Sequence, residues 1–181
     1  MAEEARPEIV KEPSPLPVTK EAVERALKEI AQDPGKAMME ESNIIQLQNP
    51  EINLTLHNKL QSLPGEQRAY IEGALWTHRI LRTQAELNGV NLPRIAPNVG
   101  EVYLRDCIDE IRSTGVSQTV DDYNRKLGER VIAEEPELGN AIQEITKYRP
   151  AKESIYGGVA DVYFLIKRTL EAKELGKKFG M

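Results

Sequence analysis

The sequence predicts an all-α protein, a helical bundle preceded by an extended N-terminal arm. Apolar residues recur every three or four positions along most of the chain, which is the period of an amphipathic helix. Residues that start or stop helices bracket these segments, notably Thr19, Asp33-Pro34-Gly35 and Asn88-Gly89. No convincing strand pattern or fixed-period repeat accompanies them. The helical period and its boundary residues therefore define the predicted fold class.

The arm is predicted over residues 1–17. This stretch contains Pro7, Pro13, Pro15 and Pro17. Each proline fixes its own φ and biases the preceding residue toward extended conformations. The spacing of the prolines therefore predicts an extended segment and not a helix.

An N-terminal helical region is predicted to follow, over residues 18–89. Thr19 is a suitable N-cap for a first helix that ends at about Gln32. A second helix is expected from about Lys36 to Gln48. The pair Asn49-Pro50 combines a capping residue with proline at the first helical position, so a further helical segment is expected there.

The longest helix is predicted over residues 64–88, where Gly89 is a favourable stop. It carries Ala69, Gly73 and Thr77 at four-residue spacing. Residues four apart lie on one side of a helix, and small side chains there permit another helix to approach closely. The segment is therefore predicted to pack tightly against another helix.

A linker is predicted over residues 90–97 and a C-terminal helical bundle over residues 98–181. Asn98 and Glu101 have the spacing of a capping box, so a helix is expected from Asn98 to Gly115. Further helices are predicted from Thr119 to about Glu134, from Pro136 to Tyr148 and from about Gly158 to Leu175. The last is the most apolar and is expected to lie at the centre of the bundle.

Composition and charge exclude several classes of protein. The chain has 181 residues, with 24 Lys+Arg against 29 Asp+Glu and a net charge of −5. Its longest apolar run, Val159 to Ile166, is far shorter than the ~20 residues of a membrane-spanning helix. No secretory signal is expected, because the first residues are acidic and proline-bearing. The acidity gives no support to a basic, freely diffusing nucleic-acid-binding domain.

Catalytic and metal-binding patterns are not evident in the sequence. His57 and His78 have no metal-ligand partner three or four residues away, and Cys107 is the single cysteine, so no metal and no cofactor are predicted. Gly157-Gly158 would suit a phosphate at a helix start, but no Lys-Ser/Thr follows. Close backbone packing is the preferred interpretation of that pair, and the protein is predicted not to be an enzyme.

The stretch from Ser42 to Arg82 is rich in uncharged polar side chains and carries scattered basic residues. Arg68, Arg79 and Arg82 are 11 and 14 residues apart, close to whole numbers of helical turns. One helix face would then present three arginines, which could follow a phosphate backbone without reading bases. A solvated face neutralised by Glu72 and Glu86 is an equally good interpretation.

The layout of arm, polar helices from Asn49 to Arg82 and bundle from Asn98 resembles the coat proteins of filamentous archaeal DNA viruses. The resemblance implies a structural subunit of a helical virion, assembled in the host cytoplasm, whose N-terminal helices wrap duplex DNA. Its partners would be copies of itself or a paralogous coat subunit. The acidic N-terminal segment departs from this pattern and would have to contact neighbouring subunits. The implied nucleic-acid-binding residues are Lys59, Arg68, Arg79 and Arg82, with His57 and His78 beside them.

Two other functions stay open at this point. A cytoplasmic adaptor or regulator would bind a protein partner through the arm or through an apolar patch on the second helix. That patch comprises Met38, Met39, Ile44 and Ile45. An enzyme would need a site assembled from scattered residues, such as His78, Tyr103 and Arg105.

Overall fold

The computed structural model describes residues 15–53, 64–95, 97–113 and 120–178, and these ranges contain helices and irregular connections but no strand. The predicted all-α class is therefore confirmed. The helices are α1 (Lys20–Gln32), α2 (Pro34–Gln48), α3 (Pro64–Leu87), α4 (Pro97–Ser113), α5 (Val120–Glu134), α6 (Pro136–Thr146) and α7 (Lys152–Lys178). Residues 50–53 add a helical turn. Of the predicted arm, only residues 15–17 are described, and the expected helix boundaries at Gly115 and Thr119 lie outside the described residues.

The start of α1 agrees with its predicted cap. The Thr19 side chain accepts a hydrogen bond from the Ala22 amide at 3.3 Å. Asp33 then ends α1 and caps α2, because its carboxylate accepts from the Lys36 amide at 3.2 Å. Pro34 occupies the first position of α2, where its missing N–H costs nothing. For this reason α2 begins two residues before the predicted Lys36.

Two central helices, α3 and α7, pack with their backbones nearly in contact. A Cβ atom on Gly73 would overlap the carbonyl of Ile155, and one on Gly158 would overlap the carbonyl of Tyr70. The predicted close-packing seam at Gly73 is thus confirmed. The prediction that the last helix begins at Gly158 is wrong, because α7 begins at Lys152 and both glycines of Gly157-Gly158 lie within it.

Two other helix boundaries differ from the sequence prediction. The helix α4 begins at Pro97, with proline at its first position, so Asn98 and Glu101 do not form the expected capping box at its start. The helix α6 ends at Thr146, two residues before Tyr148. Beyond it, Ala151 has a positive φ of 57° before α7 begins.

Residues on both sides of the predicted linker share one hydrophobic core. Val23 and Ile80 belong to the same buried cluster as Val131 and Leu165. Ile95, in the irregular stretch before α4, is also fully buried and ties the connection to that core. Within the described ranges, no helix is long and apolar enough to cross a membrane.

Candidate functional site

Glu41, on the inner face of α2, gathers three of the residues that the sequence assigned to nucleic acid. Ala37, Glu41 and Ile45 are each four residues apart, so all three side chains turn inward toward α3, and Glu41 is 1% exposed. Facing it on α3 are His78, Arg79 and Arg82, which we call, together with Glu41, the Glu41 cluster.

Both carboxylate oxygens of Glu41 are hydrogen-bonded. Oε1 contacts His78 Nδ1 and accepts from Arg82 Nε at 3.3 Å. Oε2 accepts from Arg82 Nη2 at 3.0 Å and from Arg79 Nη1 at 3.4 Å. Three further carboxylates lie beside the two arginines. Arg82 Nη1 donates to Glu86 at 2.8 Å, Arg79 Nη2 donates to Glu29, and Arg79 Nη1 lies 3.8 Å from a Glu40 carboxylate oxygen. The arginine charges are therefore compensated inside the protein.

The surroundings of Glu41 hold its carboxyl group in the ionised form. Burial by itself would raise the pKa of Glu41, but the hydrogen bonds from His78 and Arg82 and the charge of Arg82 outweigh burial and lower that pKa from 4.5 to about 2. Glu41 is thus a buried anion with cationic partners, the arrangement in which burial of a charge is tolerated.

The backbone amide of Ile95 orients the Asn49 side chain, and Asn49 in turn determines which His78 nitrogen accepts a hydrogen bond. The Ile95 amide donates to Asn49 Oδ1 at 3.3 Å, so the other end of that side-chain amide, Nδ2, faces His78 Nε2 at 3.4 Å. Because Nδ2 is a donor, Nε2 acts as the acceptor and the ring proton lies on Nδ1, toward Glu41. Both ring nitrogens of the fully buried His78 are therefore occupied.

The structure distributes the predicted nucleic-acid-binding residues unequally. Arg68 is exposed near the start of α3, whereas His78 is enclosed and Arg79 and Arg82 point into the Glu41 cluster. His57 and Lys59 lie outside the described residues. The helical spacing does place the three arginines on related turns of α3, but carboxylates from other elements cover two of them.

A polar cavity of about 360 Å³ adjoins the Glu41 cluster. Its walls combine amide side chains with the edges of His78 and Arg82. The lining residues are Ile44, Gln48, Asn49, His78, Arg82, Glu86, Val90, Asn91 and Leu92. Since Arg82 is already bound to two carboxylates, this cavity offers no uncompensated positive charge from that side chain.

A second buried polar group joins α3, α4 and α7 at Asp161. The hydroxyls of Tyr70 and Tyr103 both donate to this carboxylate, one to each oxygen, and Asp161 is fully buried. Burial and the nearby charge of Asp161 raise the pKa values of both tyrosines well above 10.0. Both therefore remain protonated donors.

Cys107 and Tyr123 extend this group toward α5. The Cys107 thiol is buried. Burial, followed by a hydrogen bond with Cys107, raises the pKa of Tyr123. Sequence reasoning missed the polar group as a unit, although one signal was present, namely the acidic Asp161 inside the most apolar segment of the chain.

A third feature is an apolar cavity of about 740 Å³ between α2 and α3, which we call the α2–α3 groove. Trp76 and Ile71 form part of its wall, Met38 comes from α2, and Arg68 lies at its edge. The full lining is Pro34, Gly35, Met38, Gln67, Arg68, Ile71, Glu72, Leu75, Trp76 and Arg149. The apolar patch predicted on the second helix is thus divided, since Ile45 is buried whereas Met39 is 67% exposed.

In the described part of the chain, no group of three or more His, Cys, Asp or Glu side chains is arranged to hold a metal ion. Comparison of the sequence and the fold with protein-family models, curated proteins and solved structures found no match.

Proposed function

We propose that this protein is a non-enzymatic structural subunit that assembles with copies of itself through the surface formed by α2 and the α2–α3 groove. The observation that carries the proposal is the groove itself, an open apolar depression bordered by Met38, Ile71, Leu75 and Trp76. Large apolar depressions on a protein surface are typical of sites that bind another molecule.

The outer face of α2 adds apolar area beside this groove. Met39 is 67% exposed and Leu47 is 83% exposed on the same helix whose inner face packs on α3. Long apolar side chains that project into water gain free energy when a partner covers them, at about 25 cal/mol per Å² of buried apolar area. An assembly interface on α2 would remove both from water.

The two buried polar groups support a structural and not a catalytic role. His78 and Tyr103, which the enzyme hypothesis brings together, belong to different hydrogen-bonded groups, one around Glu41 and the other around Asp161. The His78 nitrogen that would act as a base already meets Asn49. A general base needs a free lone pair within reach of the substrate proton.

We propose, more specifically, that the assembly is a helical filament around duplex DNA, as in the coat proteins whose layout the sequence resembles. Arg68 is then the phosphate-facing residue of α3, since Arg79 and Arg82 are bound by carboxylates. Lys59 and His57 complete the proposed contact set. Many weak contacts along a polymer would compensate for the small number of arginines in each subunit.

Sedimentation and electron microscopy of the full chain test this proposal. We expect concentration-dependent assembly that Leu47→Glu weakens, because a charge would be buried at the interface, whereas Gln143→Glu places the same charge at an exposed position on α6, outside the proposed interface, and leaves assembly intact. Assembly through apolar surface should persist at high salt, whereas a contribution from added duplex DNA should fall steeply as salt rises. A chain that stays monomeric at all concentrations, with and without DNA, contradicts the proposal.

The adaptor hypothesis uses the same groove and differs in the partner. Met38 lines the groove and Met39 is exposed beside it, which are the two methionines that this hypothesis named. A monomer that forms a stoichiometric complex with a different protein, and loses it on Met39→Glu, would favour the adaptor over self-assembly.

A further inference from the structure

The α2–α3 groove has the chemistry of a site for a proline-bearing, acidic segment. Trp76 is half-buried in its wall, and Ile71 and Leu75 extend the apolar surface along α3. At the edge, Arg68 is exposed, whereas Arg149 is held by Glu72 through two hydrogen bonds of 2.8 and 2.6 Å. The exposed charge beside the aromatic wall is therefore positive.

Residues 1–14 have the complementary chemistry. They carry four glutamates against one arginine and one lysine, for a net charge of −2. Pro7 and Pro13 flank the apolar pair Ile9-Val10. Proline-bearing extended segments bind in aromatic-lined grooves at low entropic cost, because proline restricts the unbound chain as well.

The place where the described chain begins allows residues 1–14 to reach a second molecule. The Val18 amide donates to Glu135 at 3.1 Å and the Thr19 amide donates to Gln84 at 2.8 Å, so the arm departs beside the C-terminal half of α3. Gln84 lies nine residues beyond Leu75, about 13 Å along the helix axis. Fourteen extended residues span up to about 46 Å, far more than this separation, so the segment is long enough to extend past its own groove to the groove of an adjacent copy.

We propose that residues 1–14 of one copy occupy the α2–α3 groove of a neighbouring copy, an inference that rests on the proposed self-assembly. The prolines and Ile9-Val10 lie against Trp76 and Met38, and the glutamates lie near Arg68. The acidic N-terminal segment thereby binds protein and not DNA. In a copy whose groove is occupied, Arg68 binds the arm, and the proposed phosphate contacts are left to Lys59 and His57.

A mixture of two full-length variants tests the exchange directly, because Trp76 is the single tryptophan of the chain. One copy carries Ile9→Asp, which places a charge in the arm's apolar pair and retains Trp76 as the fluorescent reporter. The other carries Trp76→Phe and supplies an intact arm without a signal. We expect the Trp76 emission of the first copy to shift to shorter wavelength, saturably, as the second copy is added.

Matched variants define the contact. A donor of arms that carries Gln143→Glu as well as Trp76→Phe adds the same charge at an exposed position outside the arm and the groove, and it should still produce the shift. A donor that carries Ile9→Asp as well as Trp76→Phe should produce no emission shift. Placing Arg68→Glu in the reporter copy should weaken the apparent affinity by up to about fivefold, more at low salt than at high salt.

The outcomes separate this inference from the proposed function. Wild-type assembly in sedimentation without any emission shift in the mixture overturns arm exchange and leaves self-assembly standing. An emission shift that is identical with the Ile9→Asp donor also overturns it, because the contact would then not involve the arm. A wild-type chain that is monomeric throughout overturns self-assembly and the exchange with it.

Discussion

Tyr70 and Asp161 join the two central helices, since the Tyr70 hydroxyl on α3 donates a hydrogen bond to the Asp161 carboxylate on α7. The backbone carbonyl of the same tyrosine packs against Gly158, three residues before Asp161 and on the same side of α7. One residue of α3 therefore contacts α7 through its backbone and through its side chain. Together these contacts set how far the helices approach and how they are aligned along their axes.

Replacing Gly158 with alanine should destabilise the protein, because the new methyl group would overlap the Tyr70 carbonyl and a backbone atom cannot move aside cheaply. We expect a loss of about 1–3 kcal/mol or more in the free energy of unfolding, measured by urea denaturation. Gly35→Ala is the matched control, since its Cβ would meet only Asp33 at 3.9 Å, and it should be neutral or stabilising. Equal effects at both glycines would contradict the close packing.

Removing the Tyr70 hydroxyl leaves one oxygen of a buried carboxylate without that donor. Tyr70→Phe should therefore lower the free energy of unfolding by about 1.5–3 kcal/mol, the range for hydrogen bonds to charged groups. Tyr148→Phe removes the same atom at a position that is 89% exposed and should have no measurable effect. A neutral Tyr70→Phe would show that the hydroxyl does not stabilise Asp161.

Stability should fall at alkaline pH. Tyr70 and Tyr103 have folded-state pKa values raised well above 10.0, through burial first and then the charge of Asp161, whereas unfolded tyrosine ionises near 10.0. Their contribution is thus fully present below pH 10 and is lost above it, at about 1.4 kcal/mol per tyrosine for each pH unit. Tyrosinate absorbance should appear together with unfolding, and Tyr70→Phe should reduce the slope; a slope unchanged by Tyr70→Phe would exclude its buried hydroxyl as a cause.

Stability should also fall in acid because of Glu41. Its pKa is about 2 in the folded protein against an ordinary value of 4.5, so the unfolded chain takes up the proton first as the pH falls. The contribution, about 3 kcal/mol, is present above pH 5 and is lost toward pH 2. Glu41→Gln should flatten this part of the pH profile, whereas Glu144→Gln, at an exposed position on α6, should retain it. An unflattened profile for Glu41→Gln would place the acid sensitivity elsewhere.

Replacing Arg82 should lower the free energy of unfolding, whereas replacing Arg68 should leave it unchanged. Arg82→Gln removes two donors from the buried Glu41 and should cost about 1–3 kcal/mol in unfolding free energy. Arg68→Gln, on the same helix but exposed, should leave stability within about 0.5 kcal/mol of wild type. Thermal denaturation measures both, and a destabilising Arg68→Gln would assign that side chain to the fold.

The helices were predictable because their determinants are local. Thr19 caps α1 and Pro136 occupies the first position of α6, each by a preference that operates within one turn. The start of α7 was predicted six residues late, because Gly157-Gly158 is unfavourable for a helix in isolation. Packing of Gly158 on the Tyr70 carbonyl compensates for that local cost, and no local pattern contains this contact.

The sequence by itself determined the all-α class, most helix boundaries and the close-packing seam at Gly73, since each follows from residue type and helical period. Only the tertiary structure decided what the polar residues of α3 do. Their spacing puts Arg68, Arg79 and Arg82 on related turns, but Arg79 is bound by carboxylates of α1 and α2, and Arg82 is bound by Glu41 of α2 as well as by Glu86 of its own helix. Electrostatic partners are chosen by proximity in space, so Glu29 and Glu41 enclose Arg79 and Arg82, while Arg68 remains at the surface.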